Sequence, residues 1–262
     1  MRGGANILRM KPENCFGAAR LSDAGTAAAP RAGLYRALGI AAAVTALATA
    51  LSYLLPDDLA ATGVGGAFLG AAYWLVVRSD DNERIRQYGL SLGGVLERGP
   101  LSAPRIARAA LIAIAHALVA ALVIYPFFWI GFRIWWKVDD FHPAPLQPVL
   151  NDALGQLLVI ALPEEAFYRG YLQTSLEREL PARYSVSLFG TRVGLGVVLT
   201  SAIFAVGHLL TELNPARLAV FFPALAFGFL RARTGGIGAA FVFHALCNLL
   251  AAYLLRSYGL SH

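Results

Sequence analysis

Charged residues are scarce in this chain. Only 15% of its 262 residues are Asp, Glu, Lys or Arg, whereas 57% are hydrophobic. Soluble domains carry about 25% charged residues, so this composition is not that of a soluble globule. The apolar residues are collected in runs of about 18 or more, the length with which an α-helix crosses roughly 30 Å of hydrocarbon. We therefore expect an integral membrane protein.

Cysteine is almost absent as well. Cys15 lies in a polar N-terminal segment and Cys247 in an apolar run, so the sequence offers neither a disulfide framework nor a C-x-x-C metal pair. The first 33 residues are basic and rich in Ala, Gly and Pro. They lack the short apolar core and small-residue cleavage site of a removable signal peptide. We expect residues 1–33 to form a disordered basic cytoplasmic tail.

Seven apolar runs predict membrane spans. They cover residues 34–55, 59–77, 106–130, 149–170, 193–210, 218–230 and 237–255. The run at 218–230 is shorter than about 17 residues, so six or eight spans remain alternatives. The predicted fold is all-α, a polytopic transmembrane helical bundle of about seven spans.

Basic residues predict the orientation in the membrane. The net charge is +6, but the basic residues lie in short segments between the apolar runs and form no single stripe, so we expect no nucleic-acid partner. The tail and three later loops are rich in Arg, whereas the first connection offers only Asp57 and Asp58. The N-terminus and those loops should be cytoplasmic. Arg133 and Lys137 oppose this pattern because their loop should be external, although two aspartates accompany them.

Ionisable residues divide the chain into two parts. The spans before Pro148 contain almost none, His116 being the exception. We take residues 34–147 as N-terminal transmembrane helices and residues 148–262 as a catalytic transmembrane core. At membrane depth such groups cost at least about 2.5–3.5 kcal/mol each, so they are normally paired or functional. The polar residues in the later spans are Glu164, Glu165, Arg169, His208, His244 and Asn248.

Two adjacent acids lie in the segment LVIALPEEAFYRGYLQ. Glu165 and Arg169 are spaced i, i+4, which predicts an ion pair on one helix face. Glu164 is rotated by about 100° from Glu165, shares a face with Tyr168 and has no local cation. Pro163 removes a backbone donor and loosens the helix, so water could reach Glu164. The alternative is an interfacial turn in which both acids face lipid headgroups.

Two further apolar segments carry polar side chains one turn apart. SAIFAVGHLL contains Phe204 and His208, and FVFHALCNLL contains His244 and Asn248. Either helix alone could use these groups for packing. Together with Glu164 they predict a site that activates water, because a desolvated carboxylate can take a proton near neutral pH with help from a histidine. His244 and Asn248 would supply hydrogen-bond donors to an oxyanion, leaving Glu164 as base and His208 as proton shuttle.

Three ordered motifs give the chain a family resemblance. EEAFYRG, FAVGH and HALCN resemble the EExxxR, FxxxH and HxxxN motifs of the CPBP family, the CAAX-type and bacteriocin-processing intramembrane proteases. The resemblance covers roughly residues 151–253, including FGFLRARTGGIG, and no motif position is substituted. It implies an intramembrane endopeptidase with Glu164 as catalytic base, His208 assisting it, and His244 with Asn248 as oxyanion hole. Supporting roles fall to Glu165, Arg169 and Phe204.

The resemblance also implies a class of substrate. Members cleave prenylated CAAX tails, bacteriocin leaders or, in the myxosortase-like bacterial branch, C-terminal sorting tails with a transmembrane stretch. A composition rich in Ala, Arg and Gly indicates a high-GC bacterium, so we expect an inner-membrane location. The expected partners are a membrane-associated protein or peptide, such as a C-terminal sorting tail, and membrane lipids.

Other functions use the same buried groups. A proton-coupled transporter would need them, but it would usually show repeated halves, and the polar positions here have no counterpart in the first half. A non-catalytic scaffold would keep them for packing. A zinc-dependent protease would bind the metal through Glu164, His208 and His244. The sequence lacks H-E-x-x-H, and Asn248 suits an oxyanion better than zinc, so we expect no metal or other cofactor.

Residue counts from the loops leave one inconsistency. They place Glu164 and His244 in the cytoplasmic half of the membrane, but His208 deeper. A tilted helix, or a fifth span that begins after Val193, would bring the three side chains to one level.

Overall fold

The computed structural model describes residues 32–260 as a bundle of helices. The predicted tail lies outside the described residues except for Ala32 and Gly33, which begin the first helix. The α-helices are α1 Ala32–Leu54, α2 Asp57–Leu75, α3 Asn82–Gln87, α4 Ala103–Trp136, α5 Leu146–Asn151, α6 Leu162–Glu165, α7 Thr174–Glu179, α8 Leu195–Thr211, α9 Phe221–Thr234 and α10 Gly238–Ser257. Short 3₁₀ turns are Val77–Ser79, Leu92–Gly94, Ala182–Tyr184 and Pro215–Val220, and π-helical segments are Gly155–Ala161 and Ala166–Gln173.

Five helical segments are long and apolar enough to cross a membrane. They are Ala32–Leu54, Asp57–Ser79, Ala103–Trp136, Pro215–Thr234 and Gly238–Ser257. The predicted span at 149–170 is interrupted by π-helical turns, and the one at 193–210 corresponds to α8, which has only 17 residues. The all-α polytopic membrane bundle is confirmed, and the number of seven spans stays a prediction.

A β-hairpin precedes α8, where the sequence predicted only helix and loop. Strands β1 Ser185–Leu188 and β2 Thr191–Gly194 pair antiparallel, with Leu188 opposite Thr191. Phe189 and Gly190 both have positive φ, 48° and 74°, as a two-residue hairpin turn requires. The predicted start of the fifth span at Val193 was therefore too early, since this residue belongs to β2. Hydrophobicity alone cannot tell a short apolar strand from the first turn of a helix.

The core surrounds the helical run of residues 146–179. Every residue from 163 to 174 is buried, and α1, α2, α8 and α9 pack around this stretch. The Phe68 ring of α2 lies 5.6 Å from the Phe167 ring and 5.2 Å from the Tyr168 ring. On α4, large apolar side chains point outward instead: Leu122 is 79% exposed and Phe127 is 73% exposed. Such an apolar exterior suits contact with lipid.

Ion pairs between Glu97 and two arginines hold the connection between α2 and α4 in place. The Glu97 carboxylate accepts hydrogen bonds from Arg86, at 2.7 Å, and from Arg105. These contacts lower the pKa of Glu97 to about 2, the hydrogen bond from Arg86 contributing most. The Glu97 carboxylate therefore stays ionised throughout the neutral range and keeps the connection bound to Arg105 at the start of α4.

Candidate active site

The two acids lie where the helical run is most irregular. A single α-turn, Leu162–Glu165, separates two π-helical segments, a feature often found at functional sites. Pro163 has no N–H to donate to the Val159 carbonyl four residues earlier. Helix α2 packs against this point: a Cβ added at Gly65 would lie 2.3 Å from that carbonyl oxygen. Pro163 and Gly65 thus position the acids at the centre of the bundle.

Glu165 forms the ion pair predicted from its spacing. Its Oε1 lies 3.2 Å from an Arg169 nitrogen, and both side chains are fully buried. Arg169 also donates to the Ala224 carbonyl at 3.0 Å, and its guanidinium centre lies 4.6 Å from the Phe204 ring and 5.2 Å from the Phe227 ring. Arg169 therefore ties the acid-bearing run to α9, and Phe204 supports it through cation–π contact.

His244 is held between the two acids. Its Nδ1 lies 3.0 Å from Glu165 Oε1 and its Nε2 lies 3.8 Å from Glu164 Oε2. An ionised Glu165 can only accept, so we assign the hydrogen to Nδ1, which leaves Nε2 turned toward Glu164. The ring also stacks on Phe227, with centroids 4.7 Å apart. Sequence reasoning missed the contact between Glu165 and His244, which are 79 residues apart.

Glu164 is the acid that does not pair with Arg169. The residue is 8% exposed, and its Oε2 has no hydrogen-bond partner among the described residues. The 3.8 Å to His244 Nε2 is beyond direct hydrogen-bond range. Glu165 Oε2 likewise has no hydrogen-bond partner among the described residues. The two acids differ in that Glu165 Oε1 contacts Arg169 and His244, whereas Glu164 lines the cavity described below.

His208 shares a helix face with Phe204, as predicted. Its Nδ1 lies 3.1 Å from the Phe204 carbonyl oxygen, which leaves Nε2 for the cavity. The Phe204 ring lies 4.3 Å from the His208 ring and 5.8 Å from the His244 ring. The counted difference in depth does not keep His208 away from Glu164 and His244, because all three line one cavity. Helix α8 begins at Leu195, two residues later than predicted, and ends one turn after His208. The helix is short, so a residue near its end still lies beside the centre of the bundle.

Asn248 has a partner that sequence reasoning missed. Its Nδ2 donates to Gln156 Oε1 at 2.9 Å. An amide NH₂ has two hydrogens, so one remains for another acceptor. Gln156 is a polar residue inside the apolar run 149–170, and this pattern could have identified it as a residue of the site. The contact fixes the direction of the Asn248 amide, one turn from His244.

One cavity of about 530 Å³ brings together the four residues predicted to be catalytic. Glu164, His208, His244 and Asn248 line it together with Gln156, Tyr168 and Arg217. Across residues 32–260, no group of three His, Cys, Asp or Glu side chains is arranged to hold a metal ion. Glu164, His208 and His244, the residues of the zinc alternative, therefore line one cavity but are not arranged to hold a metal ion together. Arg217, contributed by the turn after α8, was not among the predicted residues.

Replacing Glu165 with Gln should lower the yield of folded protein. The change leaves Arg169 buried without its counter-charge, and breaking such a pair typically costs about 3–5 kcal/mol. Thermal melting and size-exclusion profiles of the detergent-solubilised protein measure the loss. Glu164→Gln is the matched control, because it leaves the ion pair intact and should melt like wild type. A stable but inactive Glu165→Gln protein would mean that the two acids have exchanged roles.

Comparison with known proteins agrees with the motifs. Residues 146–250 match the family described as Type II CAAX prenyl endopeptidase Rce1-like. This range contains all three motifs and every predicted site residue, and it begins with α5. No curated protein and no solved structure matches the chain.

Proposed function

We propose that this membrane peptidase, whose residues 146–250 match the Rce1-like family of type II CAAX endopeptidases, cleaves a membrane-tethered or C-terminal segment. In this proposal Glu164 activates the attacking water molecule. The observation that carries this proposal is the position of Glu164, which lines the cavity, stays outside the ion pair of Glu165 with Arg169, and has its Oε2 3.8 Å from His244 Nε2. The proposed mechanism needs no metal or other cofactor. The proposed substrate is a C-terminal sorting tail in a bacterial inner membrane.

The first step forms the bond between water and the peptide carbonyl. Glu164 takes a proton from the water, whose oxygen attacks the carbonyl carbon, and the carbonyl electrons move onto the oxygen. Asn248 Nδ2 and His244 Nε2 donate to this oxyanion. In this step His244 enters with a second proton on Nε2, in addition to the Nδ1 hydrogen that it donates to Glu165, and it keeps both protons throughout.

The second step breaks the carbon–nitrogen bond. The oxyanion collapses, and the leaving amine takes the proton that Glu164 received, directly or through His208, whose Nε2 is free of backbone contacts. The carboxylate is then restored for the next cycle. His208 therefore acts as a proton shuttle, and Glu165 and Arg169 act as positioning residues that keep His244 in place.

Co-expression with candidate tail-bearing proteins tests the activity. Mass spectrometry of the released fragments should give one defined cut with wild type and none with Glu164→Gln. Glu179→Gln is the matched control, since it removes an exposed acid at the end of the same helical run and should leave the cut unchanged. The same cut with Glu164→Gln would refute the assignment.

Gln156→Ala should lower turnover by about 10- to 100-fold, the size of effect expected when a catalytic group is misplaced by about 1 Å. The loss follows because Asn248 would no longer be held by its 2.9 Å hydrogen bond. Steady-state cleavage of the mapped substrate measures it, and kcat should fall more than KM rises. Gln147→Ala, on α5, is the control and should behave as wild type. An unchanged kcat would show that Asn248 needs no support.

Reporter fusions test the proposed orientation. A reporter after residue 33 should be cytoplasmic and one after His262 external, because an odd number of spans separates them. Alkaline phosphatase and green fluorescent protein, which are active on opposite sides of the inner membrane, make the measurement. Both ends on one side would require an even number of spans.

A further inference from the structure

The two ends of the helical bundle differ in charge. The arginine-rich end consists of the connection from α2 to α4, the β-hairpin and the turn from α9 to α10. Contacts join these loops: Ile237 N donates to the Gly89 carbonyl at 3.0 Å, and Arg233 donates to the Phe189 carbonyl at 2.9 Å. The arginines at this end are Arg78, Arg84, Arg86, Arg98, Arg105, Arg108, Arg178, Arg183, Arg192, Arg231 and Arg233.

The opposite end carries few basic residues. It consists of the turn from α1 to α2, the last turns of α4 and α10, and the chain between α4 and α5. These parts also contact one another, since His142 N donates to the Ser257 carbonyl at 2.9 Å and Trp129 donates to the Tyr258 hydroxyl at 2.7 Å. The charged residues here are Asp57, Asp58, Arg133, Lys137, Asp139, Asp140, Asp152 and Arg256.

The catalytic cavity extends toward this opposite end. Phe227 and His244, both buried, line it near the middle of the bundle. From there the lining continues to Ser52 near the end of α1, Ala60 near the start of α2 and Leu255 near the end of α10. A second cavity of about 590 Å³, lined by residues of the arginine-rich end, shares no lining residue with the first. The catalytic cavity therefore has its mouth at the end opposite to the arginines.

The short helix α8 explains why this mouth exists. Its 17 residues span about 26 Å at 1.5 Å per residue, less than the roughly 30 Å of a bilayer core. After Thr211 the chain folds into the 3₁₀ turn Pro215–Val220. Arg217 from this turn lines the cavity, with its Nε 3.2 Å from Glu212. On this side a 3₁₀ turn therefore stands where α8 would have continued, and Arg217 gives the cavity lining a charged group.

Loops rich in Lys and Arg remain in the cytoplasm. The arginine-rich end is then cytoplasmic, and the mouth of the catalytic cavity lies on the external face. We infer that the peptidase receives its substrate from the external side of the membrane. This inference rests on the proposed function and narrows the substrate to a segment that has already been exported, such as the external flank of a C-terminal transmembrane tail. A tail that stays in the cytoplasm would have to pass the arginine-rich end, whose cavity shares no lining residue with the catalytic cavity.

Cysteine labelling tests the side of entry without requiring proteolysis. In a Cys15→Ser, Cys247→Ala background, Ser52→Cys places one thiol at the mouth. Ser187→Cys in the hairpin reports the arginine-rich end, and Asp140→Cys reports the opposite end; both positions are exposed. A membrane-impermeant sulfonated maleimide is applied to intact spheroplasts and, separately, to inverted vesicles of the full-length protein.

Ser52→Cys should be labelled in spheroplasts together with Asp140→Cys, and its labelling should be lost in inverted vesicles, where Ser187→Cys reacts. The inference would be overturned if Ser52→Cys were labelled from the cytoplasmic side, as Ser187→Cys is, or from neither side. Adding Glu164→Gln should change nothing, because labelling depends on access and not on chemistry. If the proposed activity failed, the labelling result would still stand. A wrong mechanism and a wrong side of entry can therefore be told apart.

Discussion

Glu164→Gln should abolish proteolysis while the protein remains inserted and folded. Gln keeps the shape of the side chain but cannot accept the proton of the attacking water. Glu164 lines the cavity and its Oε2 makes no hydrogen bond within the described residues, so the substitution breaks no hydrogen bond at this oxygen. Cleavage of the mapped substrate, followed in detergent or proteoliposomes, should fall below the detection limit, with an unchanged melting temperature.

Two controls make this result specific. Glu164→Asp keeps the carboxylate but retracts it by one methylene, so it should retain a small residual rate that Glu164→Gln lacks. Glu179→Gln should cleave at the wild-type rate. Cleavage by Glu164→Gln within a few-fold of wild type would remove Glu164 from the role of base.

Loss of an oxyanion donor should have the next largest effect. Asn248→Ala should cut turnover by about 10²–10³-fold, the usual effect of removing one preorganised donor. Substrate binding should survive, because the donor interacts with charge that appears only in the transition state. His244→Ala should lose at least as much, since His244 also contacts Glu165. Single-turnover rates and binding of substrate to a Glu164→Gln background separate kcat from affinity.

The same two variants decide between metal-free and zinc chemistry. If His244 bound zinc, His244→Ala should strip the metal, whereas Asn248→Ala should not. Elemental analysis of the purified proteins gives the metal content of each. Stoichiometric zinc in wild type, lost only with His244→Ala, would replace the metal-free mechanism with a zinc-dependent one. The melting temperature of His244→Ala shows whether the protein still folds without this contact to Glu165.

Local spacing allowed part of the site to be predicted. The pairing of Glu165 with Arg169 and the shared face of Phe204 and His208 depend on residues four apart, whose relative position a helix fixes. The structure contains both arrangements. Gln156 and the contact between Glu165 and His244 could not be derived in this way, because they join segments whose packing no local pattern specifies.

The sequence by itself determined that this chain is a helical membrane protein, and it predicted that the chemistry lies in the second half. The length of the apolar runs and the cost of buried charge are properties of single segments in a bilayer, so they can be derived without a fold. Only the tertiary structure decided which acid is ion-paired and which lines the cavity, that α8 has only 17 residues, and which distant side chains share that cavity. Those features depend on how distant helices pack, and packing is settled by the shapes of many side chains at once.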